Sequence, residues 1–299
     1  MSNTILNVEC DEIIYRAAFA VQRTGYIITT KNGNSRDLAD RFTKTKIIKM
    51  LREKEKELNI HYTLERYTIV EPVNHCLRII RNTLRRLSAF GELKLWLSPR
   101  DNSNFRYGIA RTAGPRGEGY KAGRPERPEH YQAARDYVIQ KWGAIEIHGY
   151  EADDALGLYQ DENTIAVHID KDINTVPGRH INWVTGEHYT VPTGLGNVIL
   201  TEKGKILGRG RKFFYHQLLT GDSTDNIPGL PSIGDKTAYN ILKDCETDEE
   251  CVNRVEGMYY DKLGMGQDTI NRLLEVADLL WIVQDKGETG RKIFLRSIP

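Results

Sequence analysis

Apolar residues recur along this chain in two rhythms, one alternating and one spaced by three and four. Thr4 to Glu9 (TILNVE) reads as a short strand, and the following IIYRAAFAV places Ile14, Ala17, Ala18 and Val21 on one helical face. Further strands are predicted over Glu92–Ser98 (ELKLWLS), Ala144–His148 (AIEIH), the TIAVHI run from Thr164, and His180–Thr185. Helices are predicted over Lys44–Glu57, Glu71–Leu87 and Tyr131–Trp142, with a shorter one carrying Glu151, Asp153 and Asp154. The Glu71–Leu87 helix has an apolar stripe of Val73, Leu77, Ile80, Leu84 and Leu87, and Arg78, Arg81 and Arg85 share another face. Asn32-Gly33 reads as a hairpin turn after Tyr26–Thr30, and the rest of residues 22–66 carries little signal. From Phe213 to Ile282 the pattern is helical with few breaks. Strands alternating with helices predict an α/β fold, a central, mainly parallel sheet with flanking helices. A boundary is expected near residues 195–212, dividing an α/β core (1–205) from a helical region (206–299).

The chemistry lies where the strands stop. Four of them finish just before an acid: Glu9 (with Asp11 beside it), Asp101, Glu151 and Asp170. In a parallel sheet the functional crevice lies outside the carboxyl ends of the strands. The spacing therefore predicts one acidic cluster at one sheet edge, joined by Asp153, Asp154 and Asp172. Taken singly, these acids also suit a helix's first turn or a turn after a strand. Brought together, they repel and cost several kcal/mol each to desolvate, unless a cation sits among them. An all-oxygen set without His or Cys selects Mg²⁺ or Mn²⁺. Many carboxylates suggest two ions about 4 Å apart, the arrangement for in-line attack on a phosphodiester.

Charge adds a second theme. The net charge is only +1, but basic residues are bunched. The Gly/Pro-rich loop of residues 106–130 holds six basic residues from Arg106 to Arg127 against Glu118 and Glu126. It is too long and too basic to be only a connector. Lys121 and Arg124 are its candidates for touching a phosphate. A second cluster comprises Lys203, Lys205, Arg209, Arg211 and Lys212. The run LLTGDSTDNIPGLPSIGDKTAYNIL (218–242) is not a P-loop, because Asp235 stands where the lysine after Gly234 is required. It fits helix, Gly/Pro turn, helix (about 213–242). Gly229 and Gly234 let backbone N–H groups approach a phosphate, and Lys236 adds a point charge. Asp222 and Asp225 can complete a second metal site. Four cysteines form no C-x-x-C pair, no apolar run approaches a membrane span, and the first residues lack a charged, apolar leader, so a reduced, cytoplasmic setting without membrane contact is expected.

In order and wording these motifs resemble the 5′-nuclease family: phage 5′→3′ exonucleases, flap endonucleases and the small nuclease domain of bacterial DNA polymerase I. The matching pieces are Y-R-A at Tyr15–Ala17, N-F-R at Asn104–Arg106, Y-K-A-G-R at Tyr120–Arg124, E-A-D-D at Glu151–Asp154, D-K-D at Asp170–Asp172, and G-D-S-T-D-N-I-P-G with I-G-D-K-T-A within Gly221–Ala238. The compact D-N-S-N-F-R segment is nearest in flavour to phage-encoded members. The resemblance implies a PIN-like core and hydrolysis of DNA at 5′ ends, flaps and branched duplex, by a monomer in the (host) cytoplasm that works alongside replication proteins. It implies a first metal site at Asp101, Glu151, Asp153 and Asp154, with Glu9 at the first-strand position, and a second at Asp170, Asp172, Asp222 and Asp225. Lys121 and Arg124 would act on the scissile phosphate at the foot of an arch or clamp. Arg106, Gly229, Ile233, Gly234, Lys236 and Thr237 would contact DNA, the last five in a helix–three-turn–helix that often holds K⁺. The family's first-strand Asp-Gly is Glu9-Cys10 in this chain, so Asp11 can share or replace the role of Glu9. A metal-dependent ribonuclease and a non-catalytic branched-DNA binder are the rival classes.

Overall fold

The computed structural model describes residues 4–58, 61–101, 103–109 and 114–296. Residues 110–113 of the basic loop therefore lie outside the described residues. In chain order the elements are β1 (Ile5–Glu9), α1 (Cys10–Ala20), β2 (Gln22–Thr30), β3 (Ser35–Asp37), α2 (Lys44–Leu58), β4 (Tyr62–Val70), α3 (Val73–Leu87), β5 (Glu92–Leu97) and the short α4 (Arg106–Ile109). There follow α5 (Tyr131–Trp142), β6 (Ile145–Glu146), α6 (Ala152–Leu158), β7 (Thr164–His168), β8 (Gly178–Asn182), β9 (His188–Val191), β10 (Asn197–Leu200) and β11 (Ile206–Arg209). The chain closes with α7 (Arg211–Thr220), β12 (Gly221–Asp222), β13 (Ile227–Pro228), α8 (Asp235–Leu242), α9 (Asp248–Leu263), α10 (Gln267–Leu280) and α11 (Gly290–Arg296). Two compact units emerge: Met1–Glu12, Arg85–Glu126 and Ile139–Pro299 form one, and Ile13–Leu84 with Arg127–Val138 the other.

The first unit holds a six-stranded sheet in the order β6-β5-β1-β7-β8-β9. All neighbours are parallel except β9, which returns antiparallel along β8. Leu6, Val8, Leu97, Ala166 and Val167 are wholly buried, as strands covered on both faces require. The one polar residue in the middle of β1, Asn7, is satisfied: its Nδ2 donates to Tyr159 O at 2.8 Å and its Oδ1 accepts from Trp96 Nε1 at 3.2 Å. Register sets Glu9 level with Trp96 and Val8 level with Val167, so these strands stop at one edge. The α/β fold with a mainly parallel sheet is thus as the pattern predicts. Two strands differ in extent: β6 is only two residues long, and β8 starts two residues before the predicted His180.

The expected boundary near 195–212 falls inside this unit. Backbone N–H groups of Gly210, Arg211 and Lys212 donate to the carbonyls of Asn174, Gly194 and Leu195, stitching the start of α7 to the preceding chain. Phe214, Tyr215, Leu218 and Leu219 then bury against Val252, Val255, Tyr259, Leu273 and Trp281 from α9, α10 and the turn after it. The second basic cluster disperses. Lys212 is buried and caps α8 by donating to Lys243 O (3.0 Å) and Cys245 O (2.7 Å), and Arg211 pairs with Asp248 at 2.6 Å. Where a Gly/Lys-rich stretch was read, β10 and β11 form an antiparallel hairpin.

The second unit contains a three-stranded antiparallel sheet, β3-β2-β4. Gly33 makes the predicted hairpin turn at φ 84°, its N–H donating to Thr30 O at 2.9 Å. Tyr26, Leu38 and Ile47 bury between this sheet and α2. Strand β4 was not legible, because Glu65 and Arg66 interrupt the alternation of its half-buried face. Helix α3 buries Ile80, Leu84 and Leu87 and exposes Arg78 and Arg81, as its stripe predicts.

One glycine shows how tightly α6 is seated. A Cβ on Gly157 would lie 2.2 Å from Val283 O, a backbone atom that cannot step aside alone. Gly157→Ala is therefore expected to destabilise the protein by about 1–3 kcal/mol, as overpacking of a filled core does. Urea denaturation checks this, and an unchanged midpoint would contradict the packing described.

Candidate active site

The acidic residues converge because backbone ties draw strand ends together. At the end of β1, Glu9 Oε2 accepts the Glu12 N–H at 2.9 Å and so caps the start of α1. Asp11 Oδ2 accepts the Ser98 N–H at 2.7 Å, fastening the end of β5 to that of β1. Ser98 Oγ accepts the Ala152 N–H at 3.0 Å, which brings in the first turn of α6. Glu12 reaches the other way: its carboxylate accepts from Ile169 N (2.7 Å), Asp170 N (2.8 Å) and Trp183 Nε1 (3.1 Å). Glu12 was not among the sequence candidates. The available signal was its place as the third acid in the E-C-D-E run after a strand.

The electrostatics show how crowded the result is. Burial pushes the Glu9 carboxyl well above its ordinary range, and Glu12, Asp153 and Asp11 push it further. Asp153 is raised by burial, then by Asp170 and Glu151, with Lys121 pulling the other way. Asp172 is raised by burial and then by Asp170, against the pull of Lys171. Asp170 keeps a solvent-open side, yet the protein around it, then Asp225 and Asp222, raises it too. Glu12 is pushed up to about 8, chiefly by burial. These shifts run through one connected set of carboxylates: Glu9, Asp11, Glu12, Glu151, Asp153, Asp170, Asp172, Asp222 and Asp225.

Basic groups meet this set from the loop predicted to carry them. Tyr120 Oη lies 2.7 Å from Glu151 Oε2 and 2.9 Å from Asp225 Oδ2. The Lys121 ammonium pairs with Glu151 and lies 3.7 Å from Asp225, and Arg124 pairs with Asp225. Burial opposes the Lys121 charge, but Glu151 and Asp225 outweigh it and hold its pKa above the ordinary lysine value. Burial likewise pushes Asp225 up, and Lys121 and Arg124 bring it below the usual carboxylate range. Lys171 sits 3.6 Å from both Asp172 and Asp222.

A divalent ion fits this donor set by its chemistry. The ligands are hard oxygens, their mutual repulsion favours added positive charge, and Gln217 Oε1 is buried beside Asp172 without a hydrogen-bond partner. Among the described residues, no group of three or more His, Cys, Asp or Glu is already gathered as a metal site. Lysine, arginine and backbone N–H groups hold the oxygens instead.

Five expectations are corrected. Asp154 is wholly buried and bound at both oxygens by Arg106, at 2.6 and 2.8 Å, with Val283 N–H and Glu151 N–H completing its contacts. A carboxylate so matched by a guanidinium fork has no oxygen left over for a metal. Arg106 is for the same reason not a DNA contact: it is 1% exposed, its Nε and Nη2 also donate to Leu279 O and Trp281 O, and its Nη1 lies 3.5 Å from Glu151. Asp101 is exposed and turned to its own loop, where Ser103 holds its carboxyl below the usual range. The first-site ligand role expected of Asp101 is therefore not supported, and the end of β5 meets the acidic set through Ser98 and Asp11 instead. Ile233 is core, and Gly229 is demanded by packing, since its Cβ would lie 2.2 Å from Thr220 O. Gly234, Lys236 and Thr237 are open to solvent at the start of α8.

These contacts give two expected outcomes. Arg106→Ala strands a buried carboxylate and should cost about 3–5 kcal/mol in chemical denaturation. A loss under ~1 kcal/mol would show the pair to be solvated. The second concerns pH. Because the Glu12 carboxyl is raised from 4.5 to about 8, its contribution to stability is full below pH 4.5 and lost as pH rises towards 8. Thermal melts in EDTA should therefore fall across that window, and Glu12→Gln should flatten the fall. A slope unchanged by the substitution would remove Glu12 from the set.

No protein-family model matches the chain. Among curated proteins it is 32% identical over 127 residues to the 5′-3′ exonuclease of Buchnera aphidicola subsp. Acyrthosiphon pisum, spanning 40% of this chain and 43% of that one. It is 27% identical over 179 residues to DNA polymerase I of Caldicellulosiruptor bescii, spanning 50% of this chain and 20% of the polymerase. The chain thus spans less than half the length of these relatives. The solved T5 D15 protein, co-crystallised with metal ions, aligns with 75% of this chain and 85% of its own at 16% identity and a TM-score of 0.44. The likeness of the motifs to 5′-nucleases is a relationship of sequence: the chain is a homologue of proteins named 5′-3′ exonuclease and DNA polymerase I.

Proposed function

We propose that this protein hydrolyses DNA phosphodiesters from 5′ ends and at 5′ flaps, using two Mg²⁺ ions for which Mn²⁺ can substitute. One observation carries the reading: a connected set of mutually repelling carboxylates at the carboxyl edge of a parallel sheet, faced by Lys121 and Arg124. The naming of its relatives as 5′-3′ exonucleases supports the direction of attack. Glu9, Asp11, Glu151, Asp153, Asp170, Asp172, Asp222 and Asp225 would hold the ions. When bound, such ions lower the pKa of a water and stabilise the leaving oxygen.

The chain's own residues supply the rest. Lys121 and Arg124, paired with Glu151 and Asp225, would offset the negative charge that grows on a phosphate held at the carboxylates. Their present carboxylate partners hold them in place until a phosphate takes over that contact. The solvent-open start of α8 offers backbone N–H groups at Gly234 and the charge of Lys236 to a duplex backbone. Phosphate gripping of this kind is independent of sequence and weakens steeply with salt.

The test is cleavage of a 5′-labelled flap duplex in Mg²⁺, beside an EDTA control and a single-stranded RNA of equal length. Short 5′ products from the flap, lost in EDTA, are expected. Preferential cutting of the RNA would turn the assignment towards a ribonuclease, and binding without cutting towards a structural DNA binder. Lys121→Ala should lower the single-turnover rate by about 10²–10³-fold. Asp153→Asn combined with Asp170→Asn should abolish cleavage, and full activity in that variant would sink the proposal. Gly234→Val is a clean probe of the duplex contact, because its Cβ meets nothing within 4 Å and its φ of −102° suits any residue. The variant should fold normally and lose duplex affinity; undiminished affinity would remove the turn from the DNA interface.

A further inference from the structure

The loop that carries Lys121 is held in place by one buried side chain outside the acidic set. Asn226 lies between β12 and β13, 3% exposed, with its backbone in the left-handed region at φ 61°. Its Oδ1 accepts the Arg116 N–H at 2.6 Å, and its Nδ2 donates to Gly117 O at 2.9 Å and Gly119 O at 2.8 Å. Both amide donors are thereby used, and all three bonds go to the loop's backbone. The fit extends to the main chain: a Cβ on Gly114 would lie 1.9 Å from Asn226 O and 2.5 Å from its Oδ1. Gly114 and Gly117 bridge to each other, so the clamped segment is a closed turn. The Arg116 guanidinium donates back to Thr224 O.

Immediately beyond the clamp lies the reactive end of the loop. The Lys121 N–H donates to Asp225 O at 2.8 Å, and Lys121 itself has φ 59°. A left-handed lysine persists only where its surroundings impose that backbone. The clamp on the preceding residues and the Asp225 carbonyl on the Lys121 N–H supply the constraint. The Tyr120 hydroxyl and the Lys121 ammonium consequently meet Glu151 and Asp225.

We propose that Asn226 is a positioning residue: it sets the loop so that Lys121 stands over the carboxylates, and it acts on the reaction only through that loop. This rests on the reading of Lys121 as a phosphate-facing group. Asparagine is suited on two counts. It tolerates the left-handed backbone better than most residues, and its amide supplies an acceptor and two donors together. Aspartate keeps the shape but would set a carboxylate against two carbonyl oxygens.

Asn226→Gly keeps the backbone and deletes the clamp, while Gly114→Ala breaks it from the loop side and leaves the asparagine in place. Each is assayed alone and combined with Lys121→Ala for single-turnover flap cleavage and flap affinity in Ca²⁺, and each alone for trypsin cleavage after Arg116 and Lys121, since Pro125 blocks cutting after Arg124. The expected result for either single variant is a rate loss of about tenfold to a hundredfold, as for a catalytic group displaced by about an ångström. Affinity should stay unchanged and tryptic cutting of the loop should quicken, at a temperature where melts show the protein folded. In the Lys121→Ala background the same substitution should cost little more, because the two act as one unit. Equal rate losses in both backgrounds, or no loss at all, would overturn the proposal. So would unchanged proteolysis in both clamp variants. If the wild-type protein does not cut DNA, the nuclease reading fails, and trypsin still decides whether Asn226 holds the loop.

Discussion

Carboxylates crowded at one edge of a parallel sheet are the constraint on which the rest of this structure depends. Burial and neighbouring carboxylates together raise the proton affinity of Glu9, Asp153 and Asp172. Such a set cannot persist fully ionised without compensation. The molecule compensates in two ways. Backbone N–H groups from the ends of neighbouring strands point into the carboxylates, and a basic loop lays an ammonium and a guanidinium against Glu151 and Asp225.

One acid has been taken out of that set altogether. Asp154 and Arg106 form a buried, two-pronged pair whose other bonds reach the carbonyls of Leu279 and Trp281 and the N–H of Val283. A buried pair of this sort is a weak source of stability but a strong source of position, because removing either partner strands a charge. It fixes the first turn of α6, which carries Glu151 and Asp153, against the end of α10. The helical region and the acidic edge thus share a hydrogen-bonded hub within one unit.

The parallel sheet and the convergence of its acids were legible because both follow from local rules. Apolar runs that stop before an acid, with helices between them, admit few arrangements once the sheet is parallel. The loop of Lys121 and Arg124 was legible from composition, since it was too long and too basic for a simple connector. Strand β4 and the β10–β11 hairpin were not, because charged or glycine-rich stretches with half-buried faces leave little periodicity to read. Asp101 was placed by its position after a strand and Arg106 by motif, and neither signal says which way a side chain turns.

By itself the sequence determined the fold class, the edge at which the acids meet and the basic loop that faces them. These depend on periodicity and on order along the chain, which survive without coordinates. Only the tertiary structure decided which acids remain available. Asp154 is bound by Arg106, Asp101 turns to solvent, and Glu12 joins the set through N–H groups more than 150 residues away. It likewise decided that the Lys121 loop hangs from Asn226. The physical reason is the same in each case: a charge or an amide is committed by the partner that packing brings to it, and those partners are distant in sequence.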